Sequence, residues 1–352
     1  MNHERERRVR IRYLRVGAAV LLLVLMVAGV VFAAYGCGNS GVEDNVTADA
    51  EVTIPPTEAL TELTESEVQE PVVPFVVYPH RSESSAELDK KYSGKNGVLI
   101  NAETGEIVAG RNEDKQCYPA SLTKVMTLIV AVENIKDLSD TVEITYDMLA
   151  PMIAVDASLA GFAEGEKPTL EQVLYGMVLE SGAEAALAAA CYVAGSETSF
   201  VDMMNEKAEQ MGLTKTHFTN VVGLHDKNHY STAAEMAAIL SYAMQNETCR
   251  KLLSAVEYKV PPTKKNPEGL TFASTLFGRM YGDEMPGVKV LGGKTGYTDE
   301  ADNCIETFAE VNGTTYILVL CGCNTRWDAI YDTLSVYSVC CAGGKDYEPP
   351  EK

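Results

Sequence analysis

Predicted strands stand at both ends of residues 86–345, and predicted helices occupy the middle. At the amino end, apolar runs around a Thr104-Gly105 turn predict two strands between Gly97 and Ala109. At the carboxyl end, three strands are predicted at Val288–Lys294, Ile305–Val311 and Thr315–Leu320, with an Asn312-Gly313 hairpin signal between the last two. This order is typical of one α+β domain in which an antiparallel sheet is flanked by helices. We therefore expect the terminal strands to share one sheet.

The middle of this stretch carries helical periodicity and helix-capping residues. Apolar residues recur at helical spacing between Ser121 and Ile135. Capping-box patterns that would begin two further helices occur at Thr169 with Gln172 and at Thr232 with Glu235.

Residues 16–36 carry no charge and consist mostly of Val, Leu and Ala. At about 1.5 Å per helical residue, this segment is long enough to cross the hydrocarbon of a bilayer. Residues 1–15 contain six arginines and two glutamates, and a positive flank stays in the cytoplasm. We expect a cytoplasmic basic tail at 1–15 and a single-pass helix at 16–36 in the cell membrane, with the rest extracytoplasmic, on the cell-wall side. The alternative is a signal peptide cleaved after its small final residues, with or without lipidation of Cys37.

Residues 37–85 are expected to form an acidic, disordered tether. Residues 41–70 contain nine acidic side chains, no basic one and a Pro55-Pro56 pair. Such a segment has too little apolar surface to offset the entropy lost on ordering. The remainder would be one folded domain at 86–345 and a short tail at 346–352. The formal net charge of −21 argues against nucleic acid as a partner, since phosphate binding needs clustered Lys and Arg.

The tetrapeptide Ser121-Leu122-Thr123-Lys124 suggests nucleophilic chemistry. Residues three apart share a helical face, so Lys124 can reach the Ser121 hydroxyl. A desolvated lysine of lowered pKa can take the proton of a serine and make it a nucleophile. Ser121 would also stand at a helix N-terminus, where partial positive charge favours an oxyanion. Alone the pattern is weak, because Ser-x-x-Lys is expected about once by chance in a chain of this length.

A second pattern, Gly292-Gly293-Lys294-Thr295-Gly296, falls in a predicted strand. Its glycines would let the backbone of a ligand approach closely. Lys294 and Thr295 would then offer a cation and a hydroxyl to an anionic or carbonyl group. Between the two patterns lies Ser181, at the end of an apolar helical stretch; by itself it would be a turn residue.

In this order, Ser121-x-x-Lys124, Ser181 and Lys294-Thr295-Gly296 resemble the three active-site elements of the penicillin-recognising serine enzymes. The block from His217 to Ala233, and Tyr297–Ala301 after the third motif, are similar to the low-molecular-mass D-alanyl-D-alanine carboxypeptidases. The resemblance covers residues 86–345 and implies a β-lactamase/transpeptidase-like fold.

The resemblance also implies the covalent chemistry. Ser121 would attack the carbonyl between the two terminal D-alanines of a peptidoglycan stem pentapeptide, and Lys124 would take its proton. Ser181 would relay a proton to the leaving amine. Water would hydrolyse the acyl-enzyme without a cofactor, and β-lactam antibiotics would acylate the same serine and leave slowly.

Substrate binding follows from the resemblance in the same way. Lys294 and Thr295 would hold the terminal carboxylate of the substrate. Gly296 completes that motif, and the backbone N–H groups of Ser121 and Tyr297 would form the oxyanion hole.

One position departs from the family pattern. The second motif is usually Ser-x-Asn, and here its third residue is Ala183. Alanine offers no hydrogen bond to the catalytic lysine or to the substrate, so a catalytically impaired peptidoglycan-binding protein is one alternative. A β-lactamase is another, although the Glu-x-x-Leu-Asn segment usual in that class is missing between Ser181 and Lys294.

The histidines and cysteines allow other interpretations. His225, Asp226 and His229 are close in sequence, but no further His or Cys stands at a zinc-binding spacing, so we expect a polar loop without metal. The chain has nine cysteines, and Cys321 and Cys323 would share one face of a strand. We expect buried thiols rather than a disulfide framework in a domain of this size.

Overall fold

The structure, a computed structural model, describes residues 75–349 apart from residues 281 and 284. The predicted cytoplasmic tail and transmembrane segment, residues 1–36, lie outside this part of the chain, as does most of the predicted tether. Among the residues that are described, no helix combines the length and apolar character needed to cross a membrane.

The described chain forms an α+β fold. Its strands are β1 (Ala86–Glu87), β2 (Asn96–Asn101), β3 (Ile107–Arg111), β4 (Gln116–Cys117), β5 (Ser231–Thr232), β6 (Glu257–Val260), β7 (Leu270–Ala273), β8 (Val288–Thr298), β9 (Asp302–Val311) and β10 (Thr314–Cys323). Its helices are α1 (Thr123–Asn134), α2 (Tyr146–Ala154), α3 (Leu170–Leu179), α4 (Ala183–Ala194), α5 (Glu197–Gln210), α6 (Ala233–Gln245), α7 (Glu247–Leu253), α8 (Phe277–Met280) and α9 (Arg326–Tyr337). A 3-10 turn at Ala120–Leu122 precedes α1, and a π-helical turn at Ser338–Ala342 follows α9.

Six strands form one sheet in the order β1-β3-β2-β10-β9-β8, so the two ends of the domain meet as the sequence predicts. The first and last strand groups join at β2 and β10, where Ile100 lies opposite Ile317. The sheet is mixed rather than wholly antiparallel, because β1 runs parallel to β3 at one edge. The parallel pairing arises because the chain before β2 runs along the free edge of β3, where His80 also pairs in parallel with Glu106.

Both faces of the sheet are buried. Ile317 and Val319 of β10 face the core shared with most of the helices, whereas Leu318 and Leu320 face the core under α9. Burial on both sides explains why β10 is a continuous apolar run rather than an alternating one.

Cys321 and Cys323 do not share a face, contrary to the expectation from strand alternation. Cys321 belongs to the core on the helical side and Cys323 to the core under α9. Gly322 lies between them with φ of 75°, and the β9–β10 register shifts between Leu320 and Cys323. This bulge reverses the alternation of side chains. The eight cysteines of the described chain are free, and four of them are buried.

Helix α4 occupies the middle of the helical layer. Every residue from Ala183 to Ala190 is buried, and α4 packs against α1, α2, α3 and α5. Its small alanine side chains allow four neighbouring helices to approach closely. Because α4 begins directly after Ser181 and Gly182, this packing fixes their position.

The two predicted capping boxes differ in outcome. Thr169 and Gln172 bond reciprocally at the start of α3. Thr232 accepts a hydrogen bond from the Glu235 N–H at the start of α6. The Glu235 carboxylate instead accepts hydrogen bonds from the Lys215 N–H and the Thr216 hydroxyl, so the second box is only half formed.

Ordered contacts extend beyond the predicted boundaries of 86 and 345. Val77 is buried, and Arg81 forms an ion pair with Glu113. At the other end, Asp346 accepts hydrogen bonds from Lys91 and Tyr92. Arg81 and Asp346 stand in polar stretches, and Val77 stands in a short apolar run that contains Pro74, so none of the three carries a periodic signal in the sequence.

Candidate active site

A cleft of about 860 Å³ lies where the start of α1, the start of α4 and the end of β8 meet. Six residues predicted to form a site line it, namely Ser121, Lys124, Ser181, Thr295, Gly296 and Tyr297. The structure therefore brings together motifs that are up to 176 residues apart in the chain. The seventh predicted residue, Lys294, adjoins the cleft through Thr295 but is itself only 1% exposed.

Ser121 stands in the 3-10 turn that leads into α1, and its hydroxyl faces Lys124. The Lys124 Nζ lies 3.1 Å from the Ser121 Oγ. The same nitrogen donates to the Val222 carbonyl at 2.7 Å, which fixes the amine beside the serine. Lys124 is almost fully buried, so desolvation lowers its pKa well below the usual value. The nearby Lys294 lowers that pKa further, and the carboxylate of Glu184 opposes the shift.

The loop that supplies the Val222 carbonyl is organised by Asn220. The Asn220 Oδ1 accepts hydrogen bonds from the backbone N–H groups of Val222, Gly223 and Leu224. Its Nδ2 donates to the Leu224 carbonyl. The Asn220 side chain therefore holds the loop that presents the Val222 carbonyl to Lys124, so its role is structural.

Two glycines let the loop and strand β8 approach the backbone next to Ser121. A Cβ on Gly223 would lie 1.9 Å from the Ala120 carbonyl oxygen, and Gly223 has φ of 85°. A Cβ on Gly296 would lie 2.9 Å from the Ser121 nitrogen. Ala120 itself has φ of 49°, a strained value for a residue with a side chain. The position of Ser121 thus depends on close backbone contacts that only glycine permits.

We expect Gly223→Ala to destabilise the domain much more than Gly313→Ala does. Gly313 has a similar φ of 80°, but a Cβ there would meet nothing within 4 Å. Gly313→Ala therefore measures only the cost of a positive φ in a residue with a side chain, about 1–2 kcal/mol. At Gly223 the overlap with the Ala120 carbonyl adds to that cost. Urea unfolding of the two variants measures the difference, and equal midpoints would contradict the role of the close contact.

The Lys294-Thr295 segment of β8 presents a buried cation and a hydroxyl. Lys294 Nζ donates to the Thr295 carbonyl at 2.9 Å. Burial lowers the pKa of Lys294 to about 7; the carboxyl of Glu306 raises this pKa, and Arg279 lowers it. The Thr295 hydroxyl lies 2.9 Å from that of Thr275, which also lines the cleft.

Ser181 has φ of 58°, and its buried hydroxyl has no hydrogen-bond partner in the described chain. This strained, unsatisfied group lies directly in the cleft. Ala183 also lines the cleft, and its side chain is a methyl group where the family usually has the amide side chain of Asn. The backbone N–H of Ala183 donates to the Ser158 carbonyl. The next residue, Glu184, accepts from the backbone N–H of Gly161 at 2.9 Å.

The histidines do not converge. His229 is buried, lies 2.7 Å from the Thr123 hydroxyl and accepts from the Thr219 N–H. Burial lowers the pKa of His229 to about 4, so it braces the start of α1 as a neutral ring. His225 instead lines the cleft and packs edge-on against Tyr118. Among residues 75–349, with the two gaps noted above, no group of three His, Cys, Asp or Glu side chains could hold a metal ion.

Among the cleft-lining residues that the sequence interpretation missed, three carry cationic or hydroxyl groups on the side of Thr295 or α9. Arg279 of the short helix α8 and Arg326 at the start of α9 add two cations, and Thr275 adds a hydroxyl. None of them belongs to a motif. The two arginines stand out in an acidic chain, but neither they nor Thr275 carry a signal that indicates where the fold will place them.

Comparisons with known proteins agree with this geometry. The Peptidase_S11 family model, described as D-alanyl-D-alanine carboxypeptidase, matches residues 82–325. A D-alanyl-D-alanine carboxypeptidase of Bacillus subtilis, DacF, is 32% identical over 66% of this chain and 58% of its own length. The D-alanyl-D-alanine carboxypeptidase of Streptomyces sp. strain K15 is 31% identical over 63% of this chain and 78% of its own length.

Solved structures give the same result. The crystal structure of the Streptomyces K15 DD-transpeptidase superposes with a TM-score of 0.67 at 28% identity, covering 72% of this chain and 99% of that one. The chain spans less than two thirds of the length of the Bacillus relative. The residues matched by the family model, 82–325, contain all three motifs. The chain belongs to the D-alanyl-D-alanine carboxypeptidase family.

Proposed function

We propose that this protein is a serine D,D-carboxypeptidase that removes the terminal D-alanine from peptidoglycan stem pentapeptides. The observation that carries the proposal is the pair formed by Ser121 and Lys124. Their side chains lie 3.1 Å apart, and burial favours the neutral amine of Lys124. A neutral amine at hydrogen-bond distance can accept the hydroxyl proton as the serine attacks.

Acylation then proceeds with a balanced transfer of one proton. The Ser121 oxygen bonds to the carbonyl carbon between the two D-alanines while its proton passes to Lys124. The C–N bond breaks, and the leaving amine receives a proton through Ser181, whose unpartnered hydroxyl lies in the same cleft. D-alanine leaves, and an ester to Ser121 remains.

The oxyanion would be held by the backbone N–H groups of Ser121 and Tyr297. Gly296 brings β8 against the backbone of Ser121, which supports this placement. Water then attacks the ester carbonyl while Lys124 accepts its proton; the bond between the acyl carbon and the Ser121 oxygen breaks, and Lys124 returns the proton to that oxygen. Preorganised donors of this kind are worth about 10²–10³-fold each in rate.

The terminal carboxylate of the substrate would be held at the cationic side of the cleft. Thr295, Arg279 and Arg326 line the cleft, and the buried Lys294 adjoins it through Thr295. This positive charge is local, because Asp156, Asp299 and Glu300 line the same cleft and the whole chain has a formal net charge of −21. It favours a substrate that ends in a free carboxylate, and it also suits the carboxylate of a β-lactam.

The alternatives raised by the sequence have less support. The Val222 carbonyl fixes Lys124 without help from residue 183, so the missing amide does not leave the lysine unanchored. Membership of the D-alanyl-D-alanine carboxypeptidase family also favours peptide hydrolysis over β-lactam hydrolysis.

The test is incubation of the purified protein with a pentapeptide ending in D-Ala-D-Ala, and separately with penicillin. We expect release of one D-alanine per peptide, and one penicillin adduct in the intact-protein mass. A folded protein that releases no D-alanine but forms the adduct would support the impaired binding protein. Rapid return of the adduct to free enzyme, with hydrolysed penicillin, would support a β-lactamase.

We also propose that residues 16–36 hold the protein in the cell membrane, with the folded domain on the cell-wall side. The uncharged segment and its arginine-rich flank support this placement. We expect the full chain to resist carbonate extraction from membranes, and a variant that begins at residue 37 to be soluble. A mature N-terminus after residue 36 would show instead that the segment is cleaved.

A further inference from the structure

Glu306 is a buried acid that the proposed chemistry does not use. It lies in β9 with no exposed surface, and neither carboxylate oxygen has a hydrogen-bond partner within the described chain. An ionised carboxylate that is buried without partners is strongly unfavourable unless a nearby charge compensates it. The cation that could do so is identified by the strand register.

Glu306 lies directly opposite Lys294 in the β8–β9 ladder. Residues opposite each other in an antiparallel pair have Cβ atoms about 5 Å apart on the same face of the sheet. Both side chains are fully buried, so little solvent screens the pair. Phe308 and Cys304, two residues away on either side, line the same face.

The other charge that shifts the pKa of Lys294 is positive: Arg279 of α8 lowers it. Lys294 in turn lowers the pKa of Lys124 in α1. The adjoining cleft is lined by Arg326 and also by the acidic side chains of Asp156, Asp299 and Glu300.

Burial raises the pKa of the Glu306 carboxyl well above its ordinary value; the positive charge of Lys294 opposes that shift, and Cys304 adds to it. Glu306 in turn opposes the lowering of the Lys294 pKa by burial. The two buried groups therefore favour each other's charged forms.

The Lys124 site differs from this one. Lys124 is buried near Glu184, but one oxygen of Glu184 accepts a hydrogen bond from the Gly161 N–H, whereas within the described chain neither oxygen of Glu306 has a partner. The two lysines also need opposite protonation states. Lys124 must be neutral to accept a proton, whereas Lys294 must be charged to hold a carboxylate.

We propose that Glu306 is a positioning residue whose buried negative charge keeps Lys294 protonated, and so lets the enzyme hold the terminal carboxylate of its substrate. The inference rests on the proposed function, because it concerns how that site binds its substrate. It assigns the buried acid to the binding of substrate rather than to the covalent steps.

The test compares Glu306→Gln with the wild type in the pH dependence of kcat/KM for a D-Ala-D-Ala pentapeptide. Loss of the Glu306 carboxylate lowers the pKa of Lys294. As the pH rises, Lys294 therefore loses its charge at a lower pH than in the wild type, and the activity that needs the charged lysine is lost with it. We expect the alkaline limb to move down by about one pH unit or more, mainly through a higher KM. The same peptide with its terminal carboxylate amidated has no anion to hold, so its alkaline limb stays unchanged.

Two variants provide controls. Glu310→Gln removes the same charge from the same strand, opposite Lys289, but both of those side chains are exposed; we expect no shift. Glu306→Asp keeps the charge, so its alkaline limb should lie close to the pH of the wild-type limb. If the glutamine side chain prevents folding, Glu306→Ala removes the same charge with a smaller side chain. Carbon-13 spectra of labelled wild-type glutamate carboxyls show directly whether Glu306 is ionised where the enzyme is active.

The outcomes separate this inference from the proposed function. An active wild type with an unmoved limb in Glu306→Gln, or a Glu306 carboxyl that stays protonated throughout the active pH range, would overturn the role of Glu306 alone. A wild type that never releases D-alanine would overturn the proposed function instead. A limb that moves equally in Glu306→Asp would show that side-chain size, and not charge, is responsible, and would also overturn the inference.

Discussion

Ser121→Ala is expected to abolish both D-alanine release and the penicillin adduct. The methyl group cannot form an acyl-enzyme, and removal of a nucleophile of this kind costs about 10⁴-fold or more in kcat. The Ser121 side chain is only partly buried and is not part of the core, so the variant should unfold at nearly the wild-type temperature. Intact-protein mass after penicillin treatment gives the clearest readout.

The matched control is Ser158→Ala. Ser158 lines the same cleft and is exposed, and its contribution to the structure is the backbone carbonyl that accepts from Ala183. This variant should keep its penicillin adduct and most of its activity. If Ser121→Ala still formed a stable adduct, another nucleophile in the cleft would have to be sought.

Lys124→Met is expected to fold normally and to lose about 10²–10⁴-fold in the rate of acylation, the range for removal of a general base. Methionine has nearly the length of lysine, but its thioether cannot accept the Ser121 proton. The variant also removes a buried amine whose ionisation is opposed by desolvation, so we expect a thermal midpoint at or above that of the wild type. A loss of rate together with retained stability would separate chemistry from folding.

Lys95→Met is the control for this substitution. The Lys95 side chain is 67% exposed and pairs with Asp302 outside the catalytic cleft. Exposed pairs of this kind contribute about 0–1 kcal/mol, so both activity and stability should change little. Lys124→Met with near wild-type acylation would contradict the assignment of Lys124 as the base and would point to Ser181 or a water in that role.

Much of the fold could be predicted because its signals are local. The hairpin at Asn312-Gly313 follows from two residues that tolerate positive φ, and the structure gives them φ of 53° and 80°. The α3 capping box follows from one residue pair. The parallel edge strand β1 and the bulge at Gly322 had no such signal, because each depends on which strand lies alongside.

The candidate site was predictable only as a set of motifs. Ser-x-x-Lys contains its own geometry, since one helical turn brings Lys124 to Ser121. The anchoring of that lysine was not predictable, because the Val222 carbonyl comes from a loop almost a hundred residues away. Arg279, Arg326 and Thr275 likewise join the cleft through elements that carry no motif.

The sequence by itself determined the family, the α+β class and the candidate nucleophile and base, because each of these depends on short-range spacing and on the order of motifs. Only the tertiary structure decided the electrostatics. Burial sets the pKa shifts of Lys124 and Lys294, and strand register places Glu306 opposite Lys294. Desolvation and charge pairing depend on which side chains exclude water from each other, and residues distant in the chain meet only when the whole domain is folded.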